Sequence, residues 1–324
     1  MATAAAANGS SSVQAVSMND YNILEFIGSG SYGEVFKAVH RPSGQTVAIK
    51  QMDLLRQKRK GTWLPLDVER EITYLNKCRH ENVVQLLGIA IPQGTAEEIS
   101  LIMEHMNTDL RTALKKRTQP FSINLIKHWT THLLQGIHHI HSQNIIHRDL
   151  KPGNLLLNQT GALKIADFGL SRPAASEHDE SSTALTPGVG TRKFKAPEVL
   201  LKSKNYTKAV DMWAAGCIFA ELLSGKCLFP GTSEINQITT IFRIMGTPQA
   251  EDWPEFKNLT RGFAFPEVEK QDLMLILSST GLYSRHAHSE AWAMDFLKGM
   301  LKYNPAKRTT SGQALRHRWF KEVK

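Results

Sequence analysis

"HRDLKPGN", His147–Asn154, and "DFG", Asp167–Gly169, are the stretches on which the fold and chemistry of this chain turn. The first places a carboxylate (Asp149), an ammonium (Lys151) and a carboxamide (Asn154) at fixed intervals in a loop that follows a helical run. The second places another carboxylate, Asp167, after the strand-like "LKIA". Phosphoryl transfer needs oxygen ligands for Mg²⁺, charge neutralisation on the transferred group and a base that orients the attacking hydroxyl. Asp149 can serve as that base, Lys151 as the neutralising cation, and Asn154 and Asp167 as metal ligands. Asp, Asn and Lys also populate ordinary turns. Four fixed positions in one loop, however, arise by chance in only about one chain in several hundred.

Upstream, "GSGSYGEVFKAVHRPSGQTVAIK", Gly28–Lys50, carries the spacing G-x-G-x-x-G at Gly28, Gly30 and Gly33. Alone it is weak, since glycine usage gives such a match in roughly one chain in ten of this length. A dinucleotide fingerprint sits between a strand and a helix, with an acid about 20 residues on. Here Gly33 leads into the strand-like "EVFKAV", and the residue at that distance is the base Lys50. The glycines therefore read as a hairpin turn whose N–H groups cover phosphates, with Val35 beneath and Lys50 reaching the same groups.

The 324 residues, 41% of them hydrophobic, suffice for two lobes with a sizeable core. Residues 1–18 are Ala/Ser-rich and read as a disordered tail. Short β-branched and aromatic runs from Tyr21 to about 104, interrupted by one helix over Leu64–Cys78, predict a β-rich lobe. Beyond "MNTDL" the pattern is helical: Leu125, Trp129, Leu133 and Ile137 recur at four-residue spacing, and further helices fit Lys208–Leu223, Glu234–Met245, Glu290–Leu301 and Ser311–Trp319. Cys78, Cys217 and Cys227 lack C-x-x-C spacing, which argues against a disulfide framework or a zinc site. The absence of a long apolar run and of a basic-then-apolar start argues against a membrane span or a secretory signal. The net charge of +9 is spread along the chain apart from "RQKRK", Arg56–Lys60, and indicates no specific nucleic-acid site. Cytoplasm or nucleus is the expected location.

In order and content these motifs, from "GSGSYGEV" through "VAIK", "HRDLKPGN" and "DFG" to "APE" at Ala196–Glu198, "DMWAAG" at Asp211–Gly216 and Arg308, resemble a eukaryotic protein kinase from about Tyr21 to Lys324. The resemblance implies an α+β bilobal fold: a small lobe over 19–104 with one main helix, a hinge at 105–109 and a mainly helical lobe over 110–324. It implies ATP and Mg²⁺ as cofactors and protein substrates phosphorylated on serine or threonine, since "LKPGN" follows the serine/threonine pattern. Retention of Lys50, Asp149 and Asp167 argues against a kinase-shaped scaffold without chemistry. "LFPGTSEINQITTIFRIMGTP" and "LIMEHMNTDL" are similar to segments of the cyclin-dependent and MAP kinase group. On that pattern nucleotide contacts fall on Ile27, Gly28, Ser29, Gly30, Ser31, Tyr32, Gly33, Val35, Ala48, Lys50, Met103, Glu104, Met106, Asp109, Asn154, Leu156 and Asp167. Met103 is the gatekeeper, Glu104 and Met106 offer backbone to adenine, and Asp109 lies near the ribose. Glu71 of "REITYL" is the expected partner of Lys50, the alternative being a solvated helix face on which Glu69 and Glu71 are both unremarkable.

The same resemblance implies activation by phosphorylation of Thr186 by an upstream kinase. Arg70, Arg148 and Arg172 would receive the phosphate, because a doubly charged group needs paired guanidinium donors. Ser31 and Tyr32 stand where the family carries inhibitory phosphates, although Tyr32 can equally shield the turn. Two departures matter. Lys193 and Lys195 stand where the group has tryptophan and arginine, and exchanging an arginine fork for a point charge is not neutral, which puts the proline-selecting pocket in doubt. Gly190 offers partial compensation through its backbone freedom. In "PLDVERE", Pro65–Glu71, Glu69 replaces an apolar residue of the cyclin-binding helix, so a cyclin partner is left open and activity as a monomer is expected. A cyclin-dependent-kinase-like role in the cell cycle or transcription, with proline-directed substrates, completes what the resemblance implies.

Overall fold

The computed structural model describes residues 14–30, 33–54, 64–91, 98–174, 191–203, 207–280, 283 and 290–321. Ser31, Tyr32, Arg56–Lys60, Thr186 and Gly190 lie outside them. The chain divides into two compact units, Met1–Arg79 with Val84–His105, and His80–Val83 with Met106–Lys324.

In the first unit five antiparallel strands run in the order β1-β2-β3-β5-β4: β1 Tyr21–Gly30, β2 Gly33–His40, β3 Thr46–Asp53, β4 Leu86–Ala90 and β5 Glu98–Glu104, with helix α1, Leu66–Lys77, between β3 and β4. β3 is buried on both faces from Val47 to Lys50, as a central strand should be. Ala38, Val47, Ile49, Ala90 and Ile102 form one cluster, and Val16, Met18, Tyr21 and Leu87 pack against it. This corrects the tail boundary. The amide of Val16 donates to the Ile89 carbonyl at 2.9 Å and that of Ile89 to the Gln14 carbonyl at 3.1 Å, so residues 14–16 pair along β4 and cover its edge. Composition missed this because only Val16 and Met18 carry the apolar signal.

The second unit opens with β6 (Thr108–Asp109), α2 (Leu110–Lys116), α3 (Ile123–Ser142), β7 (Ile145–Ile146), β8 (Leu155–Leu157), β9 (Leu163–Ile165) and β10 (Arg172–Pro173). It continues with α4 (Pro197–Leu200), α5 (Ala209–Ser224), α6 (Glu234–Met245), α7 (Phe256–Leu259), α8 (Leu273–Ser278), α9 (Glu290–Met300) and α10 (Ser311–Leu315). His80–Val83 belongs here because Asn82 is stitched to β9: its Nδ2 donates to the Leu163 carbonyl at 3.0 Å and its carbonyl accepts from Ile165 at 2.9 Å.

The stripe on α3 starts one residue later than four-residue spacing suggests. Ile126 is fully buried and Leu125 only partly, because a repeat of four drifts off a helix of 3.6 residues per turn. The buried line runs Ile126, Trp129, Leu133, Ile137 and Ile140. α5 is apolar almost all round and buried accordingly. A Cβ on its Gly216 would stand 2.9 Å from Leu301 Cδ2, so this glycine permits α9 to approach. The expected helix over Ser311–Trp319 is shorter. α10 ends at Leu315 and the His317 ring accepts from the Trp319 amide at 3.1 Å, which starts a new turn. Trp319 then meets Phe219 and Phe296 at ring-centroid distances of 4.8 and 5.3 Å.

One buried ion pair ties this unit together. Arg308, 4% exposed, uses its whole fork: Nη1 and Nη2 donate to Glu198 at 2.8 and 3.1 Å, while the Lys302, Ala209 and Tyr303 carbonyls accept at 3.0, 2.8 and 3.2 Å. Arg308→Lys keeps the charge but not the fork, and is expected to lower unfolding stability by about 2–4 kcal/mol. Denaturant unfolding checks this, and an unchanged midpoint would show that the carbonyl contacts contribute nothing.

Candidate active site

Strand register gathers the first unit's contribution. Gly28 pairs with Val35 and Val35 with Lys50, while Ala48 pairs with Met103. Paired residues and their i±2 neighbours share a face, so Val35, Ala48, Lys50 and Met103 lie on one side of the sheet. A Cβ on Gly33 would sit 1.9 Å from the Gln51 carbonyl oxygen, whereas Gly28 opens onto free space. Gly33 is therefore fixed by the close approach of β3. Ser29 and Gly30 close β1, and Ile27, at a bulge, is 44% exposed.

α1 turns Val68, Glu71 and Leu75 inward at helical spacing, leaving Glu69 in solvent. Glu71 consequently meets Lys50: Nζ lies 2.6 Å from Oε1 and 2.7 Å from Oε2, with both residues buried. Arg70 stands on the same helix. Glu104 receives the Gln85 amide on Oε1 at 2.7 Å.

In the second unit the loop 147–154 is organised by a carboxylate in another helix. Asp211, 1% exposed at the start of α5, accepts from the His147 and Arg148 amides and from His141 Nε2, each at 2.9 Å. Burial by itself would push the Asp211 carboxyl up, but the His141 hydrogen bond, the neighbouring imidazoles and the Arg148 amide hold it below its ordinary value. Two successive amides aimed at one carboxylate require a turned backbone, and Arg148 has φ 71°. His147 Nε2 donates to the Ala166 carbonyl at 3.1 Å, and its Nδ1 accepts from the Asp149 amide at 3.3 Å. The imidazole thus bridges the 147–154 loop to the residue before Asp167.

Asp149, 7% exposed, is presented by this frame. Its Oδ2 accepts from Lys151 Nζ at 2.5 Å and Asn154 Nδ2 at 3.1 Å, and its Oδ1 from the Thr191 amide at 3.3 Å. Asn154 Nδ2 also reaches the Asp149 carbonyl at 2.9 Å, which fixes the amide and leaves its Oδ1 as the ligand atom. Asp167 is partly buried at φ 69°, a strained conformation of the kind that persists at functional sites. A hard divalent cation suits this donor set of a carboxamide oxygen and a carboxylate. Among the described residues no cluster of three His, Cys, Asp or Glu offers an alternative metal site.

Met106 is buried, and Leu156 of β8 pairs with Asp109. Asp109 has a local task that its expected place near a ribose did not suggest. Its oxygens accept from the Thr112 amide at 3.0 Å and hydroxyl at 2.7 Å, capping α2. Arg172 of β10 pairs opposite Ile146 of β7, two residues before Arg148, and donates to the Ser171 carbonyl at 2.9 Å. Sequence reading missed His141 and the anchoring task of Asp211. The available signal was a lone carboxylate entering an otherwise apolar helix.

The turn after the undescribed segment carries Lys193, exposed, and Lys195, whose Nζ lies 3.8 Å from Glu234 Oε1. Burial lowers the proton affinity of Lys195. Glu221 of α5 is pushed up to about 7 by burial, with Lys193 pulling the other way.

Residues 21–320 match the family model described as the protein kinase domain. The chain is similar to mitogen-activated protein kinase 2 of Pneumocystis carinii, 40% identical over 303 residues, covering 93% of this chain and 83% of that one. It is similar to mitogen-activated protein kinase mpkB of Aspergillus fumigatus, 40% identical over 299 residues with coverages of 92% and 81%. It is also similar to cyclin-dependent kinase G1 of Arabidopsis thaliana, 37% identical over 309 residues with coverages of 95% and 50%.

Asp211→Asn leaves one acceptor oxygen for three donors and turns an NH₂ toward one of them. We expect a loss of about 3 kcal/mol at neutral pH. A carboxyl held below its ordinary 3.8 stabilises the fold above about that pH and loses this contribution as pH falls through the folded value. The gap between wild type and variant, followed by denaturant midpoints from pH 7 downward, should narrow only below pH ~4. A gap independent of pH would show that the Asp211 charge is immaterial.

Proposed function

Because the chain belongs to the protein kinase family, in the serine/threonine group that holds the MAP and cyclin-dependent kinases, and that family uses ATP and Mg²⁺, we propose that it phosphorylates protein substrates with Asp149 as base and under the control of Thr186. The observation that carries the base assignment is the unequal loading of the Asp149 carboxylate. Lys151 and Asn154 hold Oδ2, whereas among the described residues Oδ1 receives only the longer Thr191 contact.

Oδ1 is therefore the oxygen that accepts the substrate hydroxyl proton as the hydroxyl oxygen bonds to phosphorus and the bond from phosphorus to ADP breaks. Lys151 offsets charge on the transferred group, and Asn154 and Asp167 would hold Mg²⁺, which neutralises the phosphates when bound. Lys50, oriented by Glu71, would hold phosphate oxygens of the nucleotide.

Regulation through Thr186 is supported by Arg148 and Arg172 on neighbouring segments of the second unit and by Arg70 on α1. A phosphate on Thr186 supplies the negative charge that such guanidinium groups match. An upstream kinase is the implied partner. Activity without a cyclin is supported by α1, where Val68 is buried, Leu66 is 44% exposed and Glu69 faces solvent, so little apolar surface remains for a partner. A proline-directed preference would need an arginine fork where Lys195 stands. A cytoplasmic or nuclear location fits three free thiols, of which Cys78 and Cys217 are buried.

Asp149→Asn should lower kcat on Ser/Thr peptides by about 10²–10⁴-fold with KM for ATP little changed. Unchanged turnover would remove Asp149 from the base role. Thr186→Ala in kinase treated with its activator should fall by at least about tenfold, or about 1.4 kcal/mol of barrier. Full activity would sink the regulatory reading.

A further inference from the structure

The short 3₁₀ turn Arg192–Phe194 is held firmly. Phe194 is 9% exposed, Gln237 Nε2 donates to the Lys193 carbonyl at 3.5 Å, and the Phe194 and Lys195 amides close on the Thr191 and Arg192 carbonyls at 3.2 and 3.0 Å. Its first residue, Thr191, touches the Asp149 carboxylate, so the turn starts where an acceptor hydroxyl must sit. The turn therefore borders whatever flanks that hydroxyl.

What it presents there is positive. Arg192 and Lys193 are exposed, and among the described residues neither has a carboxylate within ion-pair distance. The Lys195 side chain is 11% exposed, and its nearest acid, Glu234, stays at 3.8 Å. Two acids offset part of this charge at Lys195, where Glu234 and Asp149 outweigh Arg192 and Arg148, but none pairs with Arg192 or Lys193 among the described residues. Asp149 is paired with Lys151. Glu221 beside Lys193, titrating at about 7, is only about half ionised at neutral pH, and its Oε2 is buried with no hydrogen-bond partner among the described residues. Arg148 and Arg192 act on Lys195 in the same sense, so these cations share one field.

An apolar ring laid on this turn would desolvate Lys195 and gain nothing from the charges, whereas an anion gains charge-assisted hydrogen bonds on a surface already ordered to receive it. A basic flank would be repelled. We propose that the Thr191–Lys195 turn selects substrates that carry an anionic side chain, a carboxylate or the phosphate of a residue already phosphorylated, beside the acceptor serine or threonine. This inference rests on the reading of Asp149 as the base.

The test uses the full chain in its activated form on a peptide library with a fixed acceptor. The flanking positions are degenerate over the twenty residues and, in a second arm, include phosphoserine. Asp, Glu or phosphoserine within two residues of the acceptor should be favoured over Pro and over Lys or Arg by about tenfold or more in kcat/KM. The two arms distinguish carboxylate from phosphate as the preferred source. Arg192→Glu and Lys193→Glu lie at exposed positions that the fold tolerates, and each should lower the ratio of kcat/KM for acidic over neutral peptides by several-fold. Proline or a base as the leading flank in the wild type would overturn the proposal, as would charge reversal that leaves the ratio unchanged. Either result leaves the kinase reading intact. No turnover on any peptide, in contrast, would overturn the catalytic assignment of Asp149 and this inference with it.

Discussion

The buried carboxylate of Asp211 is the constraint on which the catalytic loop depends. It satisfies two successive backbone amides, His147 and Arg148, together with an imidazole from the end of α3. In doing so it forces the left-handed turn at Arg148. A non-glycine residue in that region costs about 1–3 kcal/mol, which persists only where surrounding contacts over-determine it. Here three charge-assisted hydrogen bonds do so, and the next residue along the chain is Asp149. The placement of Asp149 thus follows from a side chain 62 positions later in the sequence.

Each unit holds its functional groups through buried ions, and the two cases differ in what they secure. Lys50–Glu71 joins β3 to α1, so the orientation of the lysine is tied to the helix. Glu198–Arg308 joins the short α4 to the chain before α10, with three backbone carbonyls completing the guanidinium. Buried pairs return little net stability, since desolvation offsets most of the Coulomb attraction. What they secure is geometry, because a partner that strays leaves an unmatched charge in a low-dielectric site. Extra stability in the first unit comes instead from apolar packing, to which residues 14–18 contribute, with 14–16 closing the β4 edge.

Electrostatics of the Thr191–Lys195 turn follow from side chains that neutralise one another only in part. Glu221 lies in the right place to balance Lys193, but its burial raises its proton affinity. Glu234 approaches Lys195 without closing to hydrogen-bond distance. The turn is consequently rigid and positively charged at once, a combination suited to reading charge on a substrate.

The residue types and spacings in the sequence by themselves determined the family: "HRDLKPGN" and "DFG" mark a protein kinase, and the alternation of β-branched runs followed by helical periodicity fixes the two kinds of lobe. The choice of Glu71 comes from the family pattern around "REITYL" and "RHENVV", and the inward face of 68, 71 and 75 is what the folded helix adds. Other features needed the tertiary structure, because they join residues that are distant in the chain. The clasp of Asp211 on His147 and Arg148, the stitching of Asn82 to β9, and the strand-like pairing of residues 14–16 with β4 leave almost no local pattern. A hydrogen bond between remote segments is decided by where packing brings their donors and acceptors, and local propensity does not record that. The sequence therefore specified the kinase family, and only the folded chain decided how unequally the two oxygens of Asp149 are loaded.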